Sequence, residues 1–101
     1  KWEANYLGGS PAYSTPRDNW ALQTAAGTVA DLFSVNPVFF RVGGSVPITI
    51  KFKEKLGVET VTFGFTMPGS RIHAPNEWFE LSDYPKALRA YAELLLAFSE
   101  A

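Results

Sequence analysis

Gly and Pro punctuate this chain so regularly that no uninterrupted segment can exceed a short helix or strand. Gly8-Gly9-Ser10-Pro11, Pro16, Asn36-Pro37, Gly43-Gly44, Gly57, Pro68-Gly69 and Pro75 divide its 101 residues into pieces that must pack on one another to be stable. With no cysteine, neither a disulfide framework nor a thiolate metal site can staple those pieces together. Packing is therefore the only means available. The composition supplies the material: 47% hydrophobic and 15% aromatic residues argue against disorder and for one compact domain or part of one. A net charge of -1, without a block of like charge, makes nucleic acid and anionic membrane surfaces unexpected partners. No apolar run reaches a membrane-spanning length, and no basic region followed by an apolar stretch opens the chain. The expectation is a protein without a membrane span, and the lack of cysteine leans it to the cytoplasm.

Periodicity within the pieces predicts their form. Trp2 to Leu7 reads as the end of a strand, followed by loop through Pro16. From Asp18, a candidate N-cap, Trp20, Thr24, Gly27, Ala30 and Leu32 to Phe33 fall near helical spacing and predict a helix over 18–33. Val38-Phe39-Phe40-Arg41-Val42, an almost unbroken apolar run between Pro37 and Gly43, predicts a buried parallel strand. Ser45 to Gly57 supports two readings. Val46, Ile48, Ile50 and Phe52 alternate as in a half-buried strand, which propensity favours. Pro47 in a first turn, Ser45 as a cap, Ile48, Phe52 and Leu56 at helical spacing and Gly57 as a C-cap describe a helix. Val58 to Phe65 alternates again and predicts a second strand, 67–75 is loop, and Ser82 or Asp83 caps a long helix striped by Leu88, Tyr91, Leu95 and Phe98. Phe39-Phe40 and Trp78-Phe79 read as core. The expected class is α/β, part of a three-layer sheet with helices.

Two short constellations could carry chemistry. Gly43-Gly44-Ser45-Val46-Pro47 follows the predicted buried strand. If a helix begins there, backbone N–H groups freed by glycine, the positive end of the helix dipole and the Ser45 hydroxyl suit a carboxylate or another anion. The same residues would serve equally as a tight turn and an ordinary cap, and they match neither a dinucleotide nor a Walker fingerprint. His73, the single histidine, stands in a polar loop beyond the second predicted strand, where α/β proteins place their sites. A neutral imidazole can ligate a metal, with Asn76, Glu77 or Glu80 to orient it; a solvated loop histidine is the plain alternative. Zinc catalysis takes at least three protein ligands, so this chain is not expected to complete a metal site. Ser45, His73 and Asp83 could be written as a triad, but nothing in their spacing selects them.

In order and separation the two constellations resemble the C-terminal part of the M20 metallopeptidases, the carnosinase-like dipeptidase and acyl-amino-acid deacylase group in particular. Gly43 to Pro47 is similar to that family's Gly-Gly-Ser-Ile/Val-Pro signature, and His73-Ala74-Pro75-Asn76-Glu77 to its final metal-ligand motif. The resemblance implies that Gly44 and Ser45 help hold the substrate near its carboxylate and that His73 is the last ligand of one of two zinc ions. It implies residues 1–9 as the end of the lid, or dimerisation, domain and 10–101 as the C-terminal part of the catalytic domain, and it selects the helix over the strand for 45–56. The substrate would be a small peptide or an N-acyl amino acid, and the intact parent a homodimer through its lid. No catalytic residue would lie in this chain, whose remaining metal ligands and proton-moving glutamate would belong upstream. Alone it is expected to be inactive and to self-associate through open sheet edges. Val42 stands where the dipeptidase branch often carries an acidic residue, which keeps deacylase and carboxypeptidase activities open. A non-catalytic module that binds an anion at the Gly43 to Ser45 turn is the rival reading.

Overall fold

The computed structural model describes residues 1–44 and 46–101, which form two compact units. Residues Lys1–Pro16 and Phe39–Thr60 make the first, and Arg17–Val38 and Val61–Ala101 the second.

Helices α1 (Trp20–Phe33) and α3 (Tyr84–Ser99) build the second unit. Asn19, one residue beyond the expected Asp18, caps α1: its side-chain oxygen accepts the Leu22 N–H at 3.1 Å and satisfies one of the first-turn donors. Ser34, in the left-handed conformation, ends it ahead of Pro37. A 3-10 turn over Leu81–Asp83 leads into α3, where Pro85 is tolerated because a first-turn residue needs no intrahelical donor.

The face of α3 that packs on α1 differs from the expected stripe. Ala90 and Leu94 are buried, at 1% and 5% exposure, and Ala87, Ala97 and Phe98 half-buried, whereas Leu88, Tyr91 and Leu95 are exposed, Leu95 at 72%. Small residues explain the rotation. Ala25 on α1 and Ala90 on α3 are both buried, and side chains of that size let helix axes approach more closely than rows of leucine do. Trp20 closes one end, its ring edge-on to Phe98 at 5.8 Å.

Neither predicted strand forms, and the expected α/β sheet is corrected to a helical structure, 42% helix, with no strand among the described residues. Alternation is present all the same: Val61, Phe63 and Phe65 are half-buried, and Thr62, Gly64 and Thr66 exposed. Side chains organise this extended segment. Phe63 meets Phe65 at 5.3 Å and Tyr91 at 5.4 Å, Phe65 meets Phe33 at 5.9 Å, and the Tyr91 hydroxyl donates to the Phe63 carbonyl at 3.0 Å. Period two therefore identified a two-faced extended segment, while a strand also needs a neighbouring backbone to complete its ladder. The other apolar runs lie open: Val38, Phe40 and Val42 are exposed, as are Trp2, Tyr6 and Leu7 of the expected first strand, so none of them is core. Trp78 and Phe79 are exposed as well, and the core reading of those pairs is likewise corrected.

In the first unit the ambiguous segment is helical. Helix α2 (Ile48–Leu56) follows Pro47, and Gly57 closes it at φ 68°, a conformation that glycine adopts without a Cβ clash, its N–H donating to the Lys53 carbonyl at 3.0 Å. Buried Thr49 fixes the first turn, donating from both its N–H and its hydroxyl to the Val46 carbonyl at 3.0 and 2.8 Å. A polar cluster anchors the far end. The Tyr13 hydroxyl donates to Glu59 Oε2 at 2.6 Å and accepts the Thr60 N–H at 2.7 Å, Thr15 donates to the Thr60 carbonyl at 2.6 Å, and Lys53 pairs with Glu59. Hydrogen bonds from Lys53 and then Tyr13 hold the Glu59 carboxyl below its ordinary value.

Candidate functional site

The loop carrying His73 is built from a run of tight turns. Met67, Pro68, Gly69 and Ser70 form the first, with the Ser70 N–H donating to the Met67 carbonyl at 3.0 Å. Ser70 is 2% exposed, and its hydroxyl accepts the Met67 N–H at 3.1 Å, so its burial leaves the oxygen satisfied. The next turn closes where the Ala74 N–H meets the Arg71 carbonyl at 2.9 Å.

His73 occupies the third position of that second turn with φ 60°, and Arg71 and Asn76 are also left-handed, at 57° and 60°. A positive φ at a turn's third position is ordinarily met by glycine or asparagine. For another L-residue it costs about 1–2 kcal/mol, because Cβ crowds the following carbonyl. Histidine tolerates the region better than bulky or β-branched residues do, yet glycine would cost less there. The chain instead spends that position on an exposed imidazole.

Glu80, one of the residues expected to orient His73, accepts instead from the Ser82 hydroxyl at 3.4 Å. Among the described residues no group of three or more His, Cys, Asp or Glu side chains is arranged to hold a metal ion. His73 fits a metal as one ligand; these residues do not compose a centre around it.

Gly44 lies on the first unit and His73 on the second. Gly44 is exposed in open backbone two residues ahead of Val46, whose carbonyl anchors the start of α2, and Ser45 lies outside the described residues. His73 is not among the residues lining the open groove of about 390 Å³ between α1 and α3, which Thr28, Asp31, Arg89 and Glu93 help to form. Sequence reasoning missed the Ser70 and Trp78 contacts that shape the His73 loop. Gly69 beside a buried serine was the one local sign, and it reads equally as an ordinary turn.

Residues 1–97 match the Peptidase family M20/M25/M40, and the chain belongs to that family. It is similar to the Cys-Gly metallodipeptidase DUG1 of Candida albicans, 35% identical over 66 residues, which are 65% of this chain and 14% of that protein. The Cys-Gly metallodipeptidase DUG1 of Saccharomyces cerevisiae is 30% identical over 69 residues, 68% of this chain and 14% of the relative. That of Schizosaccharomyces pombe is 25% identical over 87 residues, 86% of this chain and 18% of the relative. This chain thus spans less than a fifth of the length of each relative. No solved structure matches it. No helix among the described residues is long and apolar enough to cross a membrane.

Proposed function

We propose that this chain is part of a metal-dependent dipeptidase that hydrolyses small peptides bearing a free carboxylate, and that His73 supplies one metal ligand. The observation that supports this most directly is the placing of His73, an exposed imidazole held in a left-handed turn that glycine would fill at lower cost, within the region that matches the M20 family. Two zinc ions are the metals we assign. Bound metal supplies an acidified water and a polarised carbonyl oxygen to amide hydrolysis. The part left to this chain's residues is to orient and bind. His73 presents its imidazole from a pinned loop, and Gly44 with Ser45 receives the substrate carboxylate ahead of α2. Residues 1–9 belong in this reading to the lid and 10–101 to the catalytic part, the parent pairs through its lid, and the enzyme works in the cytoplasm.

On this reading the 101-residue chain alone is inactive. Cys-Gly, the dipeptide named by the relatives, is the first substrate to test. Incubating the chain with Zn²⁺ and Cys-Gly and following release of free glycine should show no turnover above buffer. Turnover by the chain alone would sink the assignment of the remaining ligands and the proton-moving group to other parts of the enzyme.

A further inference from the structure

We infer that Trp78 and Ser70 are positioning residues for His73: together they clamp the ends of its loop and hold the imidazole in the left-handed turn from which it would meet the metal. This inference rests on the reading of His73 as a metal ligand.

Trp78 grips the near side of the loop twice. Its backbone N–H donates to the Ser70 carbonyl at 3.1 Å, and its indole Nε1–H donates to the Gly69 carbonyl at 2.9 Å. The indole also lies flush with Gly69: a Cβ built on that glycine would stand 3.7 Å from the ring, in ordinary van der Waals contact. Ser70 holds the other side of the junction, its hydroxyl accepting the Met67 N–H and its N–H returned to the Met67 carbonyl. Residues 71–77 are thereby closed at both ends, and within them Arg71, His73 and Asn76 take positive φ. Three left-handed residues so close together persist only when surrounding contacts over-determine them; the Ala74 N–H to Arg71 carbonyl bond acts within the loop, and the bonds that close its ends converge on Ser70 and Trp78. Neither side chain hydrogen-bonds to the imidazole; each acts on it through the backbone.

This assigns Trp78 a purpose that its exposure would otherwise leave open. An indole 45% exposed is poorly used as a hydrophobic anchor and well used as a hydrogen-bond donor to a loop carbonyl.

NMR on the 101-residue chain tests the inference, because His73 is the only histidine and its signals stand alone. The strong intraresidue HN–Hα nuclear Overhauser cross-peak that marks a positive φ should be present at His73 in the parent chain and lose at least half its intensity in both Trp78→Phe and Ser70→Ala. Trp78→Phe keeps an aromatic ring but removes the Nε1–H and part of the indole surface against Gly69, and Ser70→Ala removes only the hydroxyl, while unchanged Leu94 and Ala90 amide shifts show that the α1 and α3 core survives. A left-handed signature at His73 that persists at parent intensity in both variants overturns the clamp. The underlying reading is tested separately in the Candida albicans relative carrying this chain in place of its matching region: loss of tightly bound Zn²⁺ on His73→Ala, measured by metal analysis, supports the ligand assignment, and an unchanged zinc content overturns it, with the clamp judged on the backbone signature alone.

Discussion

The Tyr13 hydroxyl and the Thr60 amide, 47 residues apart in sequence, are joined by a 2.7 Å hydrogen bond in which the backbone donates to the phenol. The same phenol donates to Glu59 at 2.6 Å, so one side chain ties the N-terminal segment to the residues that follow α2. Tyr13→Phe removes both bonds and leaves the ring. The expected result is a local loss of stability, since both bonds go and one of them reaches a carboxylate. Hydrogen exchange at the Thr60 amide should quicken by roughly tenfold, and unchanged protection at Thr60 would show that the cluster contributes little.

Glu59 gives the same cluster a pH dependence. Its carboxyl is held below the ordinary value of 4.5 by Lys53 and then by Tyr13, so the folded state favours the charged form. Stability from this source is fully present above the unfolded value and is lost as pH falls through the lower folded value. Thr60 amide protection should therefore hold above about pH 5 and decline below the 4.5 of the free group. Glu59→Gln should flatten that decline. An identical acid profile in Glu59→Gln would mean that other carboxylates govern it.

The rotated face of α3 predicts an asymmetric pair of substitutions. Leu94→Ala, at a position 5% exposed, should cost about 2–4 kcal/mol. Leu95→Ala, at a position 72% exposed, should change stability by less than about 0.5 kcal/mol. Urea denaturation followed by far-ultraviolet circular dichroism checks both. Equal costs at the two positions would restore the stripe expected from the sequence.

Asn76 tests the strain in the His73 loop without touching the imidazole. At φ 60°, Asn76→Gly should be neutral or stabilise by up to about 1 kcal/mol, since glycine has no Cβ to crowd the carbonyl. Asn76→Val should destabilise by about 1–2 kcal/mol, because a β-branched side chain fits that conformation worst. Thermal melts of the two variants separate the cases, and indistinguishable melting temperatures would argue that the loop bears no such strain.

How far these features could be read from the residues depends on whether their causes are local. Helices α1 and α3 were legible to within a few residues because caps, prolines and 3.6-residue spacing act within a turn or two; even so, Asn19 displaced Asp18 as the cap, and α3 turned Ala90 and Leu94 inward where Leu88, Tyr91 and Leu95 were expected. α2 needed the family resemblance, because Val46, Ile48, Ile50 and Phe52 fit both periods. The strands failed for a reason that lies outside each segment: Val61, Phe63 and Phe65 alternate as expected, but a strand exists only with a partner ladder, which no local pattern reports. His73 stood out as the single histidine in a polar loop, while its left-handed backbone and the Trp78 grip on Gly69 depend on turn geometry that residue types alone do not specify.

The most direct test of the central claim is Cys-Gly hydrolysis by a chimera in which this chain replaces the matching region of the Candida albicans relative, assayed with Zn²⁺ and compared with its His73→Ala variant. The account predicts an active chimera whose kcat/KM falls by about a thousandfold or more without His73, as expected when a catalytic metal loses a ligand. An active chimera that tolerates His73→Ala unchanged would contradict it.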